Sequence, residues 1–403
     1  MMPAPVKTQD VINKNHPPGK LGDPRFRLHD IASRILLDPK FGTKEEKEKI
    51  DAGIYPRVTK CQKIPFINGN KSSHVDGVPL KRSKQEGFFG FGGLFSCASV
   101  WSCPICSSRI ADTRCQEISR AFEIWQEIGK DGSLRTWSED QQSWVNSWGD
   151  KDSLHSQVMI SFTVPHYVDQ SISDLRESFM NSRRALKRQD ELKKNPSFMP
   201  WKIICKEFGV KGTISAVEVT YGFNGWHPHS HDIFFLDRKL DHEELEELRT
   251  RLTTAWVYAC KRSDVRMSPD QETYMYQRSV NVRNAPTAEE YISKFGYQGM
   301  SPEAAKAEYE KFKDVLNPGW GAAQELTKSH IKMSRGDKGY TPWDFLRIID
   351  EFPDNDDVYL QFGRLFRDYS RTFFGSRQLF WSKGFKEELI SYGEATGYIL
   401  SDL

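Results

Sequence analysis

The chain has 403 residues, 38% of them apolar and 12% aromatic, which is enough for two or three cored domains and too much for one small module. Its 57 Lys and Arg against 55 Asp and Glu leave a formal net charge of +2, which excludes a histone-like polycation but not a local basic stripe. No run of about 18 apolar residues occurs, and Met1-Met2-Pro3-Ala4-Pro5-Val6-Lys7 lacks the apolar core of a signal peptide, so no membrane partner and a cytoplasmic location are expected.

Residues 1–60 are polar and rich in Pro and Gly, with short helical patches such as Arg27 to Leu37. Residues 61–106 read as irregular, with a Gly/Phe stretch from Gly87 to Gly93 leading into cysteines. The chain has seven cysteines at uneven spacing, a poor disulfide framework. Cys97, Cys103, Cys106 and Cys115 cluster, whereas Cys61, Cys205 and Cys260 stand apart. Cys103-Pro104-Ile105-Cys106 is a C-x-x-C pair, the spacing of a structural zinc site with Cys97 as a third ligand. The fourth is open among Cys61, His74 and Cys115. Ile110, Ile118, Phe122 and Trp125 predict a helix from Ser108 to about Ile128, and Gly129 to His155 reads as a connection.

Val158, Ile160, Phe162 and Val164 alternate as a strand that Pro165 ends. A helix follows, with Ile172, Leu175, Phe179 and Leu186 on one side. Between Ser171 and Gly212 there are ten Lys and Arg against five Asp and Glu. Arg183, Arg184, Lys187 and Arg188 are candidates for a phosphate track, with a solvated helix face as the plain alternative. Thr213 to Tyr221, the turn Gly222-Phe223-Asn224-Gly225 and the apolar run ending at Leu236 predict a hairpin whose second strand is central in its sheet. Past Gly299 the chain reads as helical at Pro302–Leu316, Thr341–Ile349 and Val358–Phe374. Thr341-Pro342-Trp343-Asp344 has the cap, proline and acid of a helix start.

His227, His229 and His231 occupy alternate positions, so on a strand they share one face at about 6.5–7 Å intervals. If the turn is the four residues Gly222 to Gly225, Glu218 lies directly opposite His229 and points to the same face. A carboxylate between Val217 and Val219 is expensive unless neutralised, and a metal held by Glu218, His229 and His231 would do so. That mixed donor set suits Mn2+ or Mg2+ in phosphoryl chemistry, and Zn2+ would bind too. Further on, Thr287 and Glu290 form a capping box, which puts Tyr291 in a first helical turn with Lys294 on the same face.

These elements occur in a telling order: Thr163-Val164-Pro165-His166, then His227-Pro228-His229-Ser230-His231, then Tyr291-Ile292-Ser293-Lys294. The series resembles that of rolling-circle replication initiators, the HUH endonucleases, in the branch carried by many small Gram-positive, actinobacterial and archaeal plasmids. Cys97 to Cys106 looks like the cysteine motif of that branch, and Arg377-Gln378-Leu379-Phe380-Trp381-Ser382-Lys383-Gly384-Phe385 is similar to its tail. The resemblance spans roughly residues 60 to 385. It implies an α+β fold with a ferredoxin-like or RRM-like antiparallel sheet, the H-x-H strand central and the tyrosine on a facing helix. It also implies attack of Tyr291 on a DNA phosphate, giving a 5′-phosphotyrosine and a free 3′-OH that primes synthesis. His229 and His231 match the family histidines, His227 the extra histidine of the branch and a further candidate at the metal, Glu218 an acidic position on the preceding strand, Lys294 the motif lysine, and Cys61 its upstream cysteine.

The domain organisation expected is an extension over 1–60, a zinc-binding segment with a linking helix over 61–155, the endonuclease domain over 156–300 and a helical region over 301–403. Implied partners are single-stranded or hairpin origin DNA and host helicase and polymerase, since no P-loop is present to power unwinding. Part of the branch has a glutamate four residues before the tyrosine; here that position is Thr287, leaving Glu289, Glu290 or Tyr297 for termination. Alternative readings are an HUH transposase or relaxase, a non-catalytic zinc-dependent DNA-binding regulator, and a metallohydrolase using the three histidines.

Overall fold

The computed structural model describes residues 24–68, 71–72, 80–82, 89–127, 136–138, 143–145, 155–188, 200–284, 322–327 and 339–396. In chain order its main elements are α1 (Pro24–Leu37), α2 (Lys44–Asp51), α3 (Pro104–Glu127), β1 (Ser156–Thr163), α4 (Ile172–Leu186), α5 (Trp201–Glu207), β2 (Val210–Gly222) and β3 (Gly225–Leu236). They continue with α6 (His242–Lys261), α7 (Pro269–Arg278), β4 (Val280–Asn284), α8 (Pro342–Glu351), α9 (Asp356–Phe373), β5 (Leu379–Trp381) and α10 (Phe385–Thr396). Packing divides the chain into two units that interleave in sequence: Met1–Ile110 with Thr220–Phe223 and His330–Ser376, and Ala111–Val219 with Asn224–Ser329 and Arg377–Leu403.

In the first unit α1, α8 and α9 pack together. The start of α8 is the reciprocal cap that its sequence predicts: the Asp344 N–H donates to Thr341 Oγ1 at 3.3 Å and the Thr341 N–H to the Asp344 carboxylate at 2.8 Å. Phe345, Leu346 and Ile349 of α8 and Phe366 and Phe373 of α9 are buried. The guanidinium groups of Arg367 and Arg371 reach Glu46 at 3.0 and 2.9 Å. Burial works against the Glu46 carboxylate, but hydrogen bonds from Arg371 and the charge of Arg367 bring its pKa down to about 2.

The second unit is built on an antiparallel five-stranded sheet ordered β4-β1-β3-β2-β5, so the histidine strand β3 is the middle strand, as its apolar second half predicts. Strands β2 and β3 are joined by Phe223-Asn224 alone, a tighter turn than the four-residue loop read from the glycines. β1 runs along the other side of β3 with Met159 opposite Ile233, Ser161 opposite His231 and Thr163 opposite His229. Gly129–His155, expected as a plain connection, also contains a small ladder between Thr136–Ser138 and Ser143–Val145. The expected helix Pro302–Leu316 lies outside the described residues.

Strand alternation sorts β3 onto two faces. On one, Ile233 and Phe235 join Met159, Ile214 and Ala216 in a cluster closed by Ile118 and Trp125 of α3 and by Phe385 and Leu389 of α10. Gly212 admits Phe385 to this cluster, since a Cβ there would stand 2.2 Å from the ring. On the other face Phe234 meets Trp201 of α5 with ring centroids 5.3 Å apart, and Phe162 and Phe179 meet Trp256 of α6 at 5.1 and 5.9 Å. Asp232 belongs to this second face and is 1% exposed. It accepts two hydrogen bonds of 2.9 Å from Arg183 of α4 and one of 2.6 Å from Ser215 of β2. Burial alone would raise the Asp232 carboxyl, but Arg183 overrides it and holds the group below its ordinary 3.8.

This pair sets a stability prediction. Asp232→Ala strands the Arg183 guanidinium in the interior and is expected to cost about 3–5 kcal/mol in urea unfolding. Because the folded-state pKa of Asp232 is depressed, its contribution is complete above the unfolded value and declines as pH falls through the folded one. The acid-induced loss of stability should therefore be smaller in Asp232→Ala than in the wild type.

Candidate metal centre

Further along the same sheet face as Ile233 and Phe235, β3 carries His229 and His231 on the side of Glu218 of β2. The Glu218 Oε2 atom lies 3.2 Å from His229 Nε2 and 3.4 Å from His231 Nε2. The three side chains are 8%, 13% and 12% exposed, so the group is largely withdrawn from water but not sealed. Each imidazole is turned by a contact at its other nitrogen. His229 Nδ1 lies 3.3 Å from the His227 carbonyl oxygen, and His231 Nδ1 lies 2.9 Å from Ser161 Oγ. A carbonyl only accepts, so His229 Nδ1 carries the proton of that bond. Its Nε2 then faces the carboxylate either as the second N–H of an imidazolium or as a lone pair, and a lone pair facing a carboxylate needs a cation between them.

The donor set fits a divalent ion: with metal–ligand bonds of about 2.0–2.2 Å, nitrogen and oxygen donors stand a little over 3 Å apart, as the 3.2 and 3.4 Å separations do. Three protein ligands leave coordination positions open, the arrangement of a site that receives a substrate. His227 is outside this convergence: the ligand atoms that gather are those of Glu218, His229 and His231. Its ring stacks instead on His166, with centroids 4.5 Å apart and planes 9° from parallel. Burial, with the charge of His229 next, holds its pKa well below the usual value. His166 entered the sequence analysis only as the end of the first motif and Ser161 not at all; the β1–β3 register, pairing Ser161 with His231 and Thr163 with His229, brings them near the site.

A second group lies in the first unit. Cys61, Cys97, Cys103 and Cys106 are buried, and their sulfur atoms all lie within 4.8 Å of one another. The Cys106 sulfur is 3.5 Å from that of Cys61 and 3.6 Å from that of Cys97, far beyond a disulfide bond and close to the ~3.8 Å edge of a tetrahedron with ~2.3 Å metal–sulfur bonds. Backbone N–H groups of Cys97, Ser99 and Cys106 donate to sulfurs of Cys61, Cys97 and Cys103 at 3.4, 3.5 and 3.4 Å. The hydrogen bond between Cys103 and Cys106 pushes the first thiol's pKa up and the second's down, and a bound dication would let all four become thiolates. The structure thus brings together the four cysteines expected, and Cys115 packs with Ile118 and Trp125 in the other unit.

The basic stretch divides. Arg184 on α4 and Arg188 just past its end are exposed and line a cavity of about 300 Å³ with Arg262. The Lys187 ammonium lies 5.2 Å over the Trp201 ring. Arg183 is a correction to the phosphate track: it is 8% exposed and committed to Asp232, so its charge is spent inside the fold. Tyr291, Lys294 and Glu290 lie outside the described residues, as do His74, Glu289 and Tyr297.

No family model matches the chain, and no solved structure does. The chain is similar to Protein rep of Streptomyces lividans, 23% identical over 252 residues that make up 54% of this chain and 50% of that protein. It is also similar to the Neomycin resistance protein of Streptomyces cyanogenus, 25% identical over 157 residues, 35% of this chain and 30% of that protein. The chain spans half or less of the length of these curated relatives. Among the described residues, no helix is long and apolar enough to cross a membrane.

Two outcomes follow from these geometries. Titration calorimetry with Mn2+ should give one site that Glu218→Gln and His231→Ala each weaken at least about tenfold. Elemental analysis of the purified protein should give one equivalent of tightly held metal that Cys103→Ser releases, with a lower melting temperature.

Proposed function

We propose that this chain is a rolling-circle DNA replication initiator of the HUH endonuclease type, nicking one strand of origin DNA through Tyr291 and rejoining strands at termination. The observation that carries the reading is the Glu218 carboxylate set against the Nε2 atoms of His229 and His231 on the middle strand of an antiparallel sheet. The name of the Streptomyces lividans relative, Protein rep, agrees with it.

A divalent cation, Mn2+ or Mg2+, held by Glu218, His229 and His231 would neutralise charge on a non-bridging phosphate oxygen. The chain's own residues supply position and protons. Tyr291 Oη forms the new bond to phosphorus as the bond to the 3′ oxygen breaks, and that oxygen leaves as a 3′-OH after taking up a proton. The positive charge of Lys294, three residues on from Tyr291 in sequence, favours the phenolate that attacks. In the reverse direction a 3′-OH attacks the phosphotyrosine and releases Tyr291, so joining needs no outside energy source. Glu289, Glu290 or Tyr297 serves the termination step. Because the reacting phosphate must leave a stacked duplex, the substrate is single-stranded or hairpin origin DNA, and Arg184, Lys187 and Arg188 follow its backbone. A zinc ion in the Cys61, Cys97, Cys103 and Cys106 cluster is structural. Host helicase and polymerase extend the 3′-OH.

The test is covalent capture. The wild type with labelled single-stranded origin DNA and Mn2+ should give an adduct stable on a denaturing gel, absent with EDTA and absent in Tyr291→Phe. Tight DNA binding with no adduct under any condition would overturn the reading in favour of a regulator that binds without cutting.

A further inference from the structure

The segment Arg377–Phe385 has no part in the chemistry above, yet it forms a specific structure beside the candidate centre. Its strand β5 pairs with β2, with Leu379 opposite Ala216 and Trp381 opposite Ile214. The ladder continues one step further, where the Val217 N–H donates to the Gln378 carbonyl at 3.0 Å. Arg377 lies just before the bend at Gln378 that leads into this ladder, two residues from Leu379. Leu379 and Ala216 share one apolar cluster, on the sheet face that Glu218 also occupies by the alternation of β2. β5 is therefore the edge that flanks β2, the strand carrying Glu218.

A cavity of about 400 Å³ opens at this edge, with Trp381 in its wall. Four cations line it, Arg114, Arg377, Lys383 and Lys386, against two acids, Glu117 and Glu387. Lys386 is ion-paired with Glu117, and Arg114 donates to the Gln378 side-chain oxygen at 3.1 Å. Arg377 and Lys383 are exposed, and neither has an ion-pair partner among the described residues. The ordinary account of surface cations is a solvated face. Here, however, cations from α3, from the run into β5 and from the start of α10 converge on one concavity with positive charge in surplus. An anion is the ligand that such a surplus selects.

We propose that Arg377, Lys383 and Arg114 bind a backbone phosphate of single-stranded DNA, holding the strand beside the phosphate presented to Glu218, His229 and His231. The inference rests on the nicking reading and names a contact that the reading does not contain. It makes these residues positioning groups, sequence-independent and salt-sensitive.

The experiment uses the full chain, a fluorescent single-stranded origin oligonucleotide and EDTA, so that binding is measured without cleavage. Anisotropy titrations over a range of salt compare the wild type, Arg377→Gln/Lys383→Gln, Arg377→Lys/Lys383→Arg and Lys44→Gln/Lys49→Gln. The last removes the same charge from exposed positions on α2. The glutamine pair in the pocket should weaken binding about tenfold and reduce the slope of log K against log salt by about 0.7 for the lost phosphate. The charge-keeping pair should retain the wild-type slope, and the α2 pair the wild-type affinity. Wild-type affinity and slope in the pocket glutamine variant, or an equal loss in the α2 variant, overturns the phosphate pocket and leaves Tyr291 chemistry standing. A wild type with no affinity for single-stranded DNA sinks the nicking reading, and the pocket with it.

Discussion

Glu218 sits between Val217 and Val219 on a strand whose side chains are buried on both faces, and a carboxylate there is tolerable only if something positive or hydrogen-bonding meets it. What meets it is a pair of imidazole nitrogens at 3.2 and 3.4 Å, each aimed by a contact at its other ring nitrogen. The hairpin, its two-residue turn and the register of β1 against β3 all serve that arrangement, because a one-residue slip would send the histidines to the opposite face. The same alternation that gathers His229 and His231 places Asp232 behind them, where it needs a partner of its own.

That partner is Arg183, and the bidentate geometry ties α4 to the middle of β3. Replacing the pair with apolar groups would cost the fold little in energy, so its value lies in fixing which way the strand faces. The charge density of α4 thus has two uses. One guanidinium specifies the fold from inside, while Arg184 and Arg188 remain on the surface. Composition and spacing alone cannot separate these, since Arg183 and Arg184 are adjacent in sequence and differ only in the side of the helix they occupy.

Much of the site was readable because it is local. The hairpin places Glu218 and His229 together through a turn of two residues, and alternation does the rest. The C-x-x-C pair and Cys97 are likewise close in sequence, whereas Cys61 was one of three candidates and only the resemblance favoured it. Alternation puts His227 on the same face but says nothing of reach: one carboxylate oxygen meets two imidazoles, and the third stacks on His166. His166, Ser161 and the edge strand Leu379–Trp381 depend on pairings between segments distant in the chain. The interleaving of Met1–Ile110 with His330–Ser376 is long-range in the same sense, so boundaries drawn from composition could not show it.

The two candidate metal groups also differ in a way that separates their roles. Four buried cysteines can complete a tetrahedron by themselves, which leaves no position for a substrate. They join Cys61 to the stretch from Cys97 to Cys106, and Leu36, Val58 and Ile105 are the few buried apolar side chains packed with them. A cross-link matters most where so little core is present to do the work. Glu218, His229 and His231 supply only three donors at the polar end of a rigid sheet, and their partial exposure leaves a route in for a phosphate. A closed thiolate set suits holding a segment in place, and an open oxygen and nitrogen set suits binding something that must arrive and leave.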